Sequence, residues 1–116
     1  MAAKKFTMTG SAQVSNDTLG AFLAGSVEED LRTIPGVGPA NEAKLVEAGI
    51  LTTQQLLGKF LYLHAPGISV QDHLDAFYNF LSEIGITAYR AAITRAIAEK
   101  VNSWMPGTFD ETAVAE

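Results

Sequence analysis

Residues 34–41 read IPGVGPAN, and they hold the most suggestive chemistry in the chain. Gly36 and Gly38 bracket one small apolar residue, Val37, with a proline on either side. Glycine permits positive φ and lets backbone approach a ligand with no Cβ in the way. Pro39 suits the first position of a following helix, where its missing N–H would be unpaired anyway. The turn and the helix start then present free N–H groups at the positive end of a helix dipole, an anion site suited to a nucleic-acid phosphate. Lys44, about a turn and a half into that helix, adds a charge. Such contacts position a duplex without reading its sequence. The other reading of the same residues is a tight turn used only for packing.

The remaining reactive side chains do not assemble into a catalytic pattern. PGVGPANE lacks the Lys–Ser/Thr ending of a nucleotide-binding phosphate loop. No strand–turn–helix elbow frames a serine nucleophile. Glu28, Glu29 and Asp30 read as a solvated helix face. His64 and His73 are nine residues apart, the first in a loop and the second on a helix. Metal ligation favours i, i+3 or i+4 spacing or a third ligand on the same face. They are read as surface or half-buried side chains. No enzyme, metal site or cofactor is expected.

The elements that must position the glycines follow from periodicity and punctuation. Ser15 or Asn16 caps a short helix carrying Leu19, Phe22 and Leu23 on one face, ended by Gly25. Ser26 and Glu29 read as a capping box for a second helix through Ile34, with Val27, Leu31 and Ile34 inward. After PGVGP a third helix runs to Gly49. Thr52 or Thr53 caps a fourth, whose apolar face is Leu56, Leu57, Phe60, Leu61 and Leu63, with Gly58 inside it. Ser69 caps a fifth, with Val70, Leu74, Phe77 and Leu81 at helical spacing and Gly85 as its stop. Thr87 caps the last, alanine-rich helix, which Pro106 and Gly107 end. Nothing alternates with period two, so the fold class is all-α: five to six short helices in a compact bundle, with a helix-hairpin-helix motif at PGVGP. Tyr62, Phe77, Tyr78, Phe80 and Trp104 are core candidates, or in part a symmetric dimer contact.

Bulk composition constrains the partner. The chain has 116 residues, is 47% hydrophobic and carries a net charge of −5. Asp110, Glu111 and Glu116 lie after Pro106, which leaves ten acidic against eight basic residues in the rest, near −2. A nucleic-acid binder usually shows a basic face, and the totals show none. The absence of cysteine excludes disulfides and thiolate sites. The apolar runs are too short to span a bilayer, and the first residues lack the apolar core of a secretory signal. An intracellular, soluble setting without membrane insertion is expected.

From AFLAGSVEEDL through IPGVGPANEAKLVEAGI and TTQQLLGKFLYL, and more weakly to Trp104, the sequence resembles barrier-to-autointegration factor. These are small, dimeric, all-helical chromatin proteins that bind double-stranded DNA without sequence preference and bind LEM-domain proteins. The resemblance covers roughly residues 19–104 and is most specific from Gly36 to Leu63. It implies a SAM-like bundle and a nuclear location, with cytoplasm as a second compartment. By position it assigns Gly36, Val37, Gly38, Ala40, Asn41 and Lys44 to the DNA-contacting hairpin. Thr87 and Ala88 fall at a second helix start near DNA, with Arg90 beside them. Gly58 and Lys59 match positions near the dimer and LEM-binding groove, with Tyr62 on the same helix, and Phe80 matches a large aromatic at the dimer contact. Basic residues of the family are missing at DTLGAFL, at EED and near Ala43, and its last-helix arginine falls near Ala92. The alternative function is therefore an interaction or scaffold module of this type without tight DNA binding. The expected organisation is a flexible tail over 1–14, one domain over 15–105 and an acidic flexible tail over 106–116.

Overall fold

The structure, a computed structural model, describes residues 5–116. Its five α-helices are α1 (Asn16–Ala24), α2 (Pro39–Glu47), α3 (Thr53–Tyr62), α4 (Val70–Glu83) and α5 (Arg90–Asn102). Single 3-10 turns at Gly10–Gln13, Leu31–Thr33 and Glu111–Ala113 complete the regular structure, and no strand occurs among the described residues. Three expected caps are in place. Ser15, Thr52 and Ser69 accept from the backbone N–H three residues on, at Thr18, Gln55 and Asp72, each at 3.1 Å. Each satisfies an amide that the helix itself leaves unpaired.

α5 is the axis of the fold. Nine of its thirteen residues are buried, Ala91, Ala92, Ala96 and Ala98 among them. Small side chains let the surrounding elements approach its backbone, and α1, α3, α4 and the 3-10 turn at Gly10–Gln13 all pack on it. Leu56, Leu57 and Phe60 of α3 and Leu74, Phe77 and Leu81 of α4 fill the space between. Lys100 is buried, and its Nζ donates to the carbonyls of Phe22 (2.9 Å), Leu23 (3.1 Å) and Gly25 at the C-terminal end of α1. Placing a cationic side chain there matches both the unpaired carbonyls and the helix dipole. The fold is a compact globule with a radius of gyration of 12.9 Å.

Four expectations differ from what is found. The helix expected over residues 26–34 is extended chain followed by the 3-10 turn Leu31–Thr33. The carbonyl of Glu29 accepts from Thr53 N (3.0 Å), and that of Asp30 from Thr53 Oγ1 (3.2 Å). These carbonyls face the start of α3, so the glycine turn is entered from a single 3-10 turn. Thr87 does not cap the last helix, because Tyr89 occupies that position. α5 also ends at Asn102, earlier than Pro106 requires, since Asn102 Oδ1 accepts from Gly107 N (3.0 Å) and Phe109 N (3.1 Å) and turns the chain back.

The fourth difference concerns the expected tails. Residues 1–4 lie outside the described residues. From Phe6 on, the N-terminal segment is packed: Phe6 is 0% exposed, its N–H donates to Asp75 Oδ1 (2.7 Å) and its carbonyl accepts from Gln71 Nε2 (3.0 Å). The C-terminal segment meets it there. Ala115 N donates to Gln71 Oε1 (2.7 Å), Met8 N to Ala115 O (2.9 Å) and Thr9 N to Glu116 O (2.7 Å). Phe109 and Val114 pack on the core. A short polar segment holds one phenylalanine, and burying that ring offsets the cost of ordering the chain around it.

Candidate nucleic-acid interface

The two glycines of the turn do different work. Gly36 has φ +92°, and a Cβ there would lie 3.0 Å from Ile93 Cγ1 and 3.1 Å from Tyr89 Cβ. Both the backbone and the packing of α5 demand glycine. Gly38 caps α2 in an extended conformation (φ −101°, ψ −170°) that any residue adopts, and a Cβ there meets nothing within 4 Å. Val37 between them is buried in the core.

Asn41 joins the turn to the loop before α5. Its side chain is buried, and Nδ2 donates to Gly36 O and to Ala88 O, both at 3.0 Å. That amide is committed to the protein, so a contact from Asn41 to a phosphate falls to its backbone N–H. Ala40 is exposed beside it. As the second and third residues of α2, Ala40 and Asn41 have amides without intrahelical acceptors, and Gly38 supplies no side-chain cap.

The clamp brings the start of α2 against the start of α5. Thr87 and Ala88 are exposed in the loop, and Tyr89 caps α5 with φ +64°, a left-handed conformation rare for a bulky residue. The side chain of Tyr89 is 44% exposed. Between the turn at 36–41 and Ala88–Tyr89 lies an open groove of about 430 Å³, with Val14 also in its lining. Two helix N-termini border one concave surface, and their macrodipoles favour an anion there.

The cations are less well placed. Lys44 lies with its stem over Gly85 and its Nζ 3.8 Å from Glu47 Oε2. Arg90 points to α4, where its guanidinium donates to Ser82 Oγ and stands 5.0 Å from the Tyr78 ring centroid. Arg32, which the sequence did not bring forward, is held by Glu42 at 2.9 Å. Each of these three side chains already has a partner.

The residues matched to a dimer or partner surface gather elsewhere, on the outer face of α3. A Cβ at Gly58 would meet nothing within 4 Å. Lys59 Nζ stands 4.7 Å from the Phe80 ring centroid and 5.4 Å from that of Tyr62. Phe80 is half-buried against the core, whereas Tyr62 is 80% exposed. Tyr62 and Trp104 are therefore not core residues, unlike Phe77, and Leu61 also faces solvent.

The histidines, separate in sequence, meet in space. His73 is buried, stacked on Phe60 with centroids 4.0 Å apart, and its Nε2 lies 2.7 Å from Phe60 O. The exposed His64 ring stands edge-on to it at 5.2 Å. Burial pushes the His73 pKa below the ordinary 6.5, against the opposing bond to Phe60 O and with a small push from His64 in the same direction. No group of three His, Cys, Asp or Glu that could hold a metal occurs among the described residues.

Sequence reasoning missed Tyr89 and the clamp by Asn41, and no local signal announces either one. Among the described residues no helix is long and apolar enough to cross a membrane. Set against protein-family models, curated proteins and solved structures, the chain matches none of them.

Proposed function

We propose that this chain is a non-enzymatic protein of the barrier-to-autointegration-factor type that binds the backbone of double-stranded DNA without sequence preference. In this reading it acts as a homodimer, through the outer face of α3 and Phe80, and bridges duplexes in chromatin. Nuclear proteins of the LEM-domain kind are the further partners, and the turn at 34–38 serves as the hairpin of a helix-hairpin-helix-like motif whose first arm is the 3-10 turn Leu31–Thr33 and whose second is α2. The observation that carries the reading is Gly38. Neither its backbone conformation nor its packing requires a glycine, yet it lies bare at the rim of a groove bordered by two helix N-termini. A bare position there lets a phosphate reach the amides of α2.

The experiment is titration of a fluorescent duplex at about 25 and 150 mM salt. Binding that weakens steeply with salt is expected, because each phosphate contact releases counterions. Gly38→Glu places a carboxylate in open space, so helical content and thermal midpoint should stay near wild type while affinity falls at least tenfold. Unchanged affinity removes the groove as the DNA site.

A second reading is favoured by the pairing of Arg32 with Glu42, Lys44 with Glu47 and Arg90 with Ser82. It is an interaction or scaffold module on the same framework, without tight DNA binding. No salt-dependent binding at micromolar protein, together with a dimer by light scattering, selects it.

A further inference from the structure

At the opposite side of α3 from its N-terminal cap, a cavity of about 490 Å³ opens between the end of α3, the start of α4 and the chain after α5. Leu61, Ile68, Val70 and Met105 supply its apolar walls, and His64 and His73 its rings. Its size falls in the range of small-molecule sites, which combine apolar walls with a few fixed polar groups.

The Ser69 and Thr108 hydroxyls also line it, tied to Asp72 N and Met105 O, and the buried polar group is the free nitrogen of His73. A ring nitrogen 2.7 Å from a carbonyl oxygen carries the proton, so Nε2–H donates to Phe60 O. In the neutral imidazole Nδ1 is then an acceptor, and no partner for it occurs among the described residues. Every buried side-chain nitrogen and oxygen among those residues has a partner, so Nδ1 must be one that solvent reaches. The residue is only 3% exposed and lines this cavity. Its stacking on Phe60 and its bond to the carbonyl hold the ring rigidly. The site thus offers a fixed imidazole acceptor among largely apolar walls, with the exposed His64 ring and the Met105 thioether at its edge, both of which favour aromatic neighbours.

The geometry points to this cavity as a binding site for a small aromatic molecule bearing one hydrogen-bond donor, phenol-like or indole-like. An anionic head group would face a lone pair. A metal ion would need a ligand beyond the two histidines, and no group of three His, Cys, Asp or Glu that could hold one occurs among the described residues.

The test titrates the full chain, labelled with nitrogen-15, with 2-naphthol and with 2-methoxynaphthalene, which keeps the rings and removes the donor. Calorimetry gives the affinities. Saturable shifts at the amides of Ile68, Val70 and Met105 are expected, with the ether about tenfold weaker, the scale of one lost hydrogen bond. His73→Phe should lower the naphthol affinity to that of the ether and leave the ether unchanged. Val70→Trp should abolish both. Ile68→Trp, in the loop before α4, closes the cavity without touching a helix and serves if either of the other variants melts early. Equal affinity for the two probes overturns the proposal. So do shifts scattered over Leu51, Tyr62 and Trp104. Zinc chloride shifting both imidazoles where 2-naphthol has no effect overturns it in favour of a metal site.

Discussion

The groove at the start of α2 and the cavity at the end of α3 are built by opposite means. The groove is made of backbone: a positive-φ glycine, a bare glycine and a left-handed tyrosine, fixed by one buried asparagine. The cavity is made of side chains and of chain that has already left its helix. Backbone presents unpaired amides and suits an anion of regular geometry. Side-chain walls around one imidazole suit a small apolar molecule. The groove depends on Gly36 and Asn41, which cannot be exchanged without disturbing the fold, whereas the cavity depends on side-chain packing along α4, the helix on which the chain ends also dock.

The largest effect expected tests the role of those ends. Phe6→Ala should cost about 3–5 kcal/mol in denaturant unfolding, the usual range for a fully buried phenylalanine. Native-state hydrogen exchange should then quicken at Gln71–Asp75 before it quickens at Gly36–Asn41. Equal acceleration at both would mean that the groove and the cavity open as one unit.

The two glycines sharpen the contrast within the groove. Gly36→Ala combines a left-handed backbone with contacts of 3.0 and 3.1 Å, and should cost about 2–4 kcal/mol. Gly38→Ala should change stability by less than about 1 kcal/mol, in the stabilising direction, because it only restricts the unfolded chain. Thermal melts of the pair check this. Similar losses at both positions would remove the distinction between a structural and a bare glycine.

Asn41→Ala leaves two carbonyls, Gly36 O and Ala88 O, without this donor. A loss of about 1–3 kcal/mol is expected. Amide shifts should appear at Ala88 and Tyr89, far along the sequence but adjacent in space, and silence there would show that the clamp is dispensable.

The smallest effect is a pH dependence at the cavity. Burial depresses the His73 pKa below 6.5, so the unfolded chain binds a proton more readily than the folded one. Its contribution to stability is complete above about pH 6.5 and is lost as pH falls from there through the lower folded value. His73→Gln should flatten that part of the stability–pH curve, and an unchanged slope assigns it to other groups.

Much of this was legible in the residues themselves. Ser15, Thr52 and Ser69 cap helices through bonds that span three residues, and Gly49 and Gly85 turn left-handed just after α2 and α4. Leu74, Phe77 and Leu81 face inward as their spacing requires. The expected helix at 26–34 failed because its carbonyls found Thr53, more than twenty residues away. A capping box competes poorly with a long-range partner that the local sequence does not reveal.

By itself, then, the sequence determined the all-helical class, most helix starts and stops, and the glycine turn at Gly36–Gly38. These rest on interactions within one helical turn, where residue type and spacing decide the energy. Only the tertiary structure decided that Asn41 would hold Ala88, 47 positions on. It also brought His64 against His73, committed the nearby arginines to local partners, and packed the ends of the chain on α4. Those outcomes depend on which surfaces the packed helices leave facing one another, and burial and unpaired backbone groups settle them only once the whole chain has folded.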